Sequence, residues 1–231
     1  EIYAYFNSNK PVLLHGITGS GKTRVYAELI QKVVHEGKQT LYLLPEIALT
    51  THMVERLKSM FTSDVLVYHS RMNNQERVEI WNAVLLGAKI VIAARSGLFL
   101  PFSNLGLIIV DEEHDPSFKQ NEPSPRYNAR DAAIFMSHLT QGKIILGSAT
   151  PSLETYANTI NAKYGLVEMN DRYGESVLPT IEIVDLKPEY KDKSFKGTFS
   201  KSLISAIEDA LINKEQILLF QNRRGYSPTL S

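Results

Sequence analysis

The stretch Gly16-Ile17-Thr18-Gly19-Ser20-Gly21-Lys22-Thr23 follows an apolar run, Val12 to Leu14, and opens an amphipathic pattern, and this order constrains the chain more than any other feature. It satisfies G-x-x-x-x-G-K-[ST] in the strand, loop, helix setting that gives the pattern its meaning. Glycines let successive N–H groups point at phosphate oxygens from a helix N-terminus, and the lysine reaches the β- and γ-phosphates. Gly16, Thr18, Gly19, Ser20, Gly21, Lys22 and Thr23 are therefore the expected ATP-binding residues. The Thr23 hydroxyl is an expected Mg²⁺ ligand, and a carboxylate ligand is expected downstream.

Short β-branched and aliphatic runs recur along the chain at Val12 to Leu14, Thr40 to Leu44, Val65 to Tyr68, Ile90 to Ala93, Leu107 to Val110 and Ile144 to Leu146. Between them apolar residues return at helical spacing, as in Val25, Leu29, Ile30, Val33, Val34 and in Leu49, Met53, Leu57, Met60, Phe61. Strands alternating with helices predict an α/β fold with a mostly parallel sheet covered on both faces. Gly37 is placed to end the first of these helices.

The run Leu107 to Val110 leads straight into Asp111, Glu112, Glu113 and His114. Open parallel sheets bind ligands at the C-terminal ends of their strands, so this placement favours chemistry over a solvated acidic loop. Asp111 is expected to hold Mg²⁺ and Glu112 to polarise the attacking water, which with Lys22 gives the expected catalytic set. Glu113 is left open between a solvated residue and one paired to a neighbouring basic side chain. After the run Ile144 to Leu146 comes Gly147-Ser148-Ala149-Thr150-Pro151-Ser152, whose hydroxyls can reach across to the magnesium loop. His114, Ser148 and Thr150 are the expected coupling residues.

The composition narrows the setting. Lys plus Arg equals Asp plus Glu at 25 each, so any nucleic-acid contact must be local. Cysteine is absent, which excludes disulfides and thiolate metal sites within this chain. No apolar run reaches the ~20 residues of a membrane span and no signal sequence opens the chain, so a soluble, cytoplasmic protein without membrane partners is expected. From Asp171 to Gly197 the pattern loosens into a linker with one strand-like stretch at Ile181 to Val184. A helix from Ser200 to Asn213 and a strand at Ile217 to Phe220 follow. Domains are thus expected at 1–170 and 171–231, the second too short to fold a core alone and cut from something longer.

The P-loop, the Asp-Glu-Glu-His box and the Ser-Ala-Thr box, in this order, resemble superfamily 2 helicases. Together with Leu43 to Thr50, Gly147 to Glu154 and Asn222 to Pro228, the wording is similar to the bacterial primosomal, or replication-restart, helicases over nearly the whole chain. That resemblance implies a RecA-like P-loop NTPase lobe and the start of a second, and an ATP-driven 3′ to 5′ DNA helicase working with Mg²⁺. It implies single-stranded and forked DNA, other primosome proteins and single-strand-binding protein as partners, and a monomer. Zinc belongs to the full-length family, but its cysteine ligands are absent from this chain, as are the later second-lobe motifs. The fragment is expected to bind nucleotide and not to unwind alone.

The resemblance also places Pro45, Arg95 and Ser96 on the path of single-stranded DNA. An aromatic-rich loop over Asp115 to Asp131 adds Phe118, Lys119, Arg126 and Tyr127 as DNA contacts, where exposed aromatic and basic side chains can stack bases and meet phosphates. Arg24 stands where that family usually has Glu, Ala93 and Ala94 where Gly-Thr is usual, and Asn128 where His is usual. Another superfamily 2 translocase, a P-loop phosphotransferase and a nucleotide-gated interaction module are the alternative readings.

Overall fold

The computed structural model describes residues 1–61, 64–172, 180–188 and 199–220. It divides into two units, Glu1–Ser176 and Val177–Ser231. The first is built on a seven-stranded sheet of β1 (Val12–Gly16), β2 (Gln39–Leu43), β3 (Val65–Tyr68), β4 (Ile90–Ala93), β5 (Leu105–Asp111), β6 (Lys143–Ser148) and β7 (Gly165–Met169). The spatial order is β3-β4-β2-β5-β6-β1-β7 and every pairing is parallel.

Helices α1 (Ile2–Asn7), α2 (Lys22–His35), α3 (Thr51–Lys58), α4 (Asn74–Leu85), α5 (Ala129–Thr140) and α6 (Leu153–Ile160) belong to this unit. Two apolar cores explain why the strands read as continuous hydrophobic runs. Val12, Leu14, Tyr42, Leu107, Ile109 and Ile145 pack with Leu29 and Ile30 of α2, whereas Leu13, Leu41, Leu43, Ile108, Val110 and Leu146 pack with Ala129 and Ala133 of α5. Successive residues of one strand serve opposite cores, so both faces must be apolar.

Helix termini follow local chemistry. Thr50 accepts from the Met53 N–H at 3.3 Å and starts α3 after a 3-10 turn, so the helix expected from Leu49 begins two residues later. Asn73 and Glu76 form a reciprocal capping box on α4. Gly37, with φ +78°, follows the end of α2 as expected, a left-handed conformation that favours glycine.

Differences from the sequence reading have clear causes. β7 was not expected, because Gly165-Leu166-Val167-Glu168-Met169 contains a glycine and a charge and forms an edge strand pairing only with β1. Gly165 is needed there, since a Cβ would lie 2.3 Å from the Tyr5 ring of α1. In the second unit, α7 (Lys201–Ile212) forms within the expected helix, with Ser200 capping it. The strands expected at Ile181 to Val184 and Ile217 to Phe220 are not formed; no neighbouring strand pairs with them among the described residues, and a strand is a paired state. The Asn222 to Pro228 segment lies outside the described residues. No helix among the described residues is long and apolar enough to cross a membrane.

Candidate active site

Strands β5, β6 and β1 are neighbours, so the loops that leave their C-terminal ends meet at one edge of the sheet. This brings the P-loop, the acidic box and the Ser-Ala-Thr box together although they are far apart in sequence. Gly16 is buried at the end of β1, and a Cβ there would sit 2.6 Å from Ser20 Oγ and 3.0 Å from the Lys22 side chain. Gly19 and Gly21 take φ of +81° and +90°, turning the loop around a small hollow. Thr18 and Gly19 form its exposed rim.

Lys22 opens α2, and its ammonium donates to the Gly16 carbonyl at 2.5 Å, curling over the loop. Ser20 Oγ is buried inside without a hydrogen-bond partner. An orphaned hydroxyl, a lysine and a helix N-terminus around one hollow fit the phosphates of a nucleotide. The oxygen donors Thr23 and Asp111 are the kind Mg²⁺ takes, an ion that completes its coordination with phosphate oxygens and water.

Asp111 ends β5 only 7% exposed. Its Oδ1 accepts from the Tyr26 hydroxyl at 3.1 Å and from the Glu112 N–H at 3.1 Å, and its Oδ2 accepts from the Tyr42 hydroxyl at 2.9 Å. Burial pushes the Asp111 carboxyl above its ordinary range, against the pull of the two phenols and the Lys22 charge. Glu112, held at φ +50°, is also raised, by burial first and by the Asp111 charge second. Both tyrosine hydroxyls are driven well above their usual pKa by burial and by Asp111, so they remain O–H donors.

These shifts set a pH dependence. A carboxyl whose folded pKa is raised contributes stability that is fully present below the unfolded value of about 4 and is lost as pH rises through the folded value. The nucleotide-free chain should therefore lose stability from this pair as pH rises from about 4 through the two raised values. Thermal midpoints measured across that range should show a flatter slope for the double variant Asp111→Asn, Glu112→Gln, and identical slopes would count against the raised pair.

Glu113, left open by the sequence, is fully buried. Its carboxylate accepts from Arg130 Nη1 at 3.1 Å, the Ser152 N–H at 2.7 Å, Ser152 Oγ at 3.0 Å and Thr155 Oγ1 at 2.9 Å. It thereby pins the start of α6, which follows the Ser-Ala-Thr box, to the end of β5. His114 completes the crossing: Nδ1 lies 2.8 Å from Ser148 Oγ and Nε2 lies 3.4 Å from Thr150 Oγ1, with Glu112 Oε2 at 3.8 Å from Nδ1. The structure thus joins the three residues read as coupling residues in one chain of contacts.

The residues read as DNA contacts divide. Lys119, Arg126 and Ser96 are exposed, and Arg95 and Ser96 line a cleft with Ser70, Arg77 and Gln120. Arg95 donates to the Ser117 and Lys119 carbonyls, at 3.1 and 3.0 Å, and so also braces the loop that follows the acidic box. Tyr127 is half-buried, its ring 5.1 Å from and edge-on to that of Phe99, which is 57% exposed.

Two expectations need correction. Phe118 is 1% exposed and packs in the core with Ala129, because Asp115 accepts from the Ser117 N–H at 2.8 Å and caps a 3-10 turn (Pro116–Phe118) that points the ring inward. Burying a phenylalanine is worth about 2 kcal/mol, so this ring does not stack on a base in this conformation. Pro45 is also buried, two residues past the end of β2, leaving Glu46 and Ile47 as the exposed neighbours. Of the departures from the primosomal pattern, Arg24 pairs with Glu28 on the exposed face of α2, and Asn128 caps α5 by accepting from the Arg130 N–H at 3.0 Å.

Sequence reasoning missed Tyr26 and Tyr42. A phenol within the otherwise apolar run Leu41 to Leu44, and another one turn after Lys22, were the available signals, since a buried hydroxyl needs a partner.

The model of the DEAD/DEAH box helicase family matches residues 1–159. The chain belongs to this family. Among curated relatives of this DEAD/DEAH box helicase, the replication restart protein PriA of Rickettsia felis is 47% identical over 225 residues, covering 96% of this chain and 34% of the relative. PriA of Bacillus subtilis is 41% identical over 222 residues, covering 96% and 27%. The chain therefore spans between about a quarter and a third of the length of these relatives. Among solved structures, RecG bound to a three-way DNA junction superposes with a TM-score of 0.53 at 25% identity, covering 75% of this chain and 23% of RecG. A hypothetical ATP-dependent RNA helicase from Sulfolobus tokodaii gives 0.52 at 19% identity over 73% of this chain and 50% of its own, a likeness of fold alone.

Proposed function

We propose that the chain is the ATP-binding lobe, with the start of a second lobe, of a 3′ to 5′ DNA helicase that acts in replication restart. The observation that carries the reading is the junction of three strand ends, where the P-loop hollow, the Asp111 and Glu112 carboxylates and the Ser148 to Thr150 loop meet. Similarity to PriA along 96% of the chain supports the restart assignment.

The P-loop N–H groups and Lys22 bind the triphosphate, and Thr23 with Asp111 would hold Mg²⁺, which would supply charge neutralisation to the phosphates. Glu112 orients the attacking water, and His114 links that carboxylate to Ser148 and Thr150. DNA, single-stranded or forked, is met locally by Arg95, Ser96, Lys119, Arg126 and Tyr127, which suits a chain with no net charge. Primosome proteins and single-strand-binding protein are the proposed partners, with the protein acting as a monomer in the cytoplasm.

A motor moves by closing two lobes on ATP, so residues 1–231 should bind ATP with Mg²⁺ and show no unwinding. The test of the whole reading is ATP hydrolysis by a chain extended to the relatives' length, with and without forked DNA. Stimulation by the fork is the expected result, and hydrolysis indifferent to DNA would overturn the proposal.

A further inference from the structure

Two phenol hydroxyls end on the two oxygens of Asp111. Tyr26 comes from α2, one helical turn beyond Lys22, and Tyr42 comes from β2, the strand beside β5. Both rings are fully buried and meet edge to face with centroids 5.6 Å apart, so neither can swing away without opening the core.

The neighbouring strand is cut to fit this arrangement. Gly147 of β6 pairs with Asp111 in register, and a Cβ on it would lie 1.6 Å from the Tyr26 hydroxyl oxygen and 3.1 Å from Asp111 Oδ1. Only glycine at that place admits the phenol. The glycine that opens the Ser-Ala-Thr box and the tyrosine three residues past Thr23 are therefore two halves of one contact.

A carboxylate oxygen accepts about two hydrogen bonds. Oδ1 is filled by Tyr26 and the Glu112 N–H, whereas Oδ2 receives Tyr42 alone and keeps one acceptor position. We infer that Tyr26 and Tyr42 are positioning residues that clamp Asp111 in a single orientation and leave Oδ2 as the oxygen presented to the magnesium ion and its water. The inference rests on the reading of Asp111 as the magnesium carboxylate.

Removing a hydroxyl while keeping the ring isolates the clamp from core packing, so the informative variants are Tyr42→Phe and Tyr26→Phe. The measurement is equilibrium binding of a fluorescent ADP to this chain across a Mg²⁺ titration, together with binding in excess chelator. Tyr42→Phe should raise the Mg²⁺ concentration for half-maximal effect about tenfold, the scale of one hydrogen bond to a charged group. Metal-free affinity should stay unchanged. Tyr26→Phe should act in the same direction and more weakly, because Oδ1 keeps the Glu112 N–H. In a hydrolysing chain of the relatives' length, kcat at saturating Mg²⁺ should be retained while the Mg²⁺ requirement rises.

Asp111→Asn separates the two ways of failing. If that variant raises the Mg²⁺ requirement and both phenylalanine variants leave it alone, the clamp is refuted and the Asp111 reading stands. Equal loss of metal-free and Mg²⁺-dependent binding in the phenylalanine variants would mark the phenols as structural only and also refute it. If Asp111→Asn leaves the Mg²⁺ requirement unchanged, the reading of Asp111 falls and takes the clamp with it.

Discussion

Glu112→Gln should lower ATP hydrolysis by about 10²- to 10⁴-fold, the usual contribution of a positioned general base, while nucleotide affinity changes little. The side chain remains the same size, so the left-handed turn at Glu112 and the contacts of Asp111 are preserved. What is lost is a carboxylate able to take a proton from water beside the P-loop. Lys22→Ala should behave differently, because its ammonium belongs to the phosphate hollow itself and its loss should weaken binding as well as turnover. Single-turnover hydrolysis by a chain of the relatives' length, with binding of a fluorescent nucleotide to each variant, distinguishes the two. Hydrolysis by Glu112→Gln within tenfold of the parent would mean another group orients the water.

Arg130→Ala should destabilise the first unit by about 3 kcal/mol, the lower end of the cost of stranding a buried charge. The Glu113 side chain has no exposure and that of Arg130 only 11%. The lower end is expected because three donors remain on the carboxylate, from Ser152 N, Ser152 Oγ and Thr155 Oγ1. Arg130 also loses its own contact with Ser152 Oγ at 2.7 Å, so the cap of α6 loosens along with the ion pair. Glu113→Gln should cost less, since Arg130 retains Asp131 at 2.8 Å. The double variant should be less destabilised than the sum of the singles, as expected for partners in one network. Urea unfolding should show a lower midpoint with an unchanged slope. A shift worth less than about 1 kcal/mol would mean the pair is strongly solvated in solution.

The two predictions concern residues that were not equally visible. Glu112 stands out as a candidate because a carboxylate just past a buried strand, downstream of a P-loop, has few structural reasons to be there. Glu113 is one residue further and chemically identical, and nothing local separates their fates. The backbone turn at Glu112, with φ +50°, sends the two side chains to different places, and the partners of Glu113 come from α5 and α6. Phe118 shows the same limit from the other side. An aromatic between polar residues reads as exposed, but a capped 3-10 turn buries it, while Phe99, from a different loop, takes the exposed place beside Tyr127.

Local chemistry, then, was enough for the P-loop, the alternation of strands and helices, the glycine that follows α2, and the candidate hydrolysis pair. Each depends on spacing within a few residues, which the chain carries wherever it goes. The strand order, the edge strand β7, the burial of Phe118 and Pro45, and the convergence of Tyr26, Tyr42 and Gly147 on Asp111 were decided only by the tertiary structure. Those features join residues far apart in the chain, 121 positions from Tyr26 to Gly147 and 153 from Val12 to Gly165, through side-by-side strands whose register no local pattern specifies.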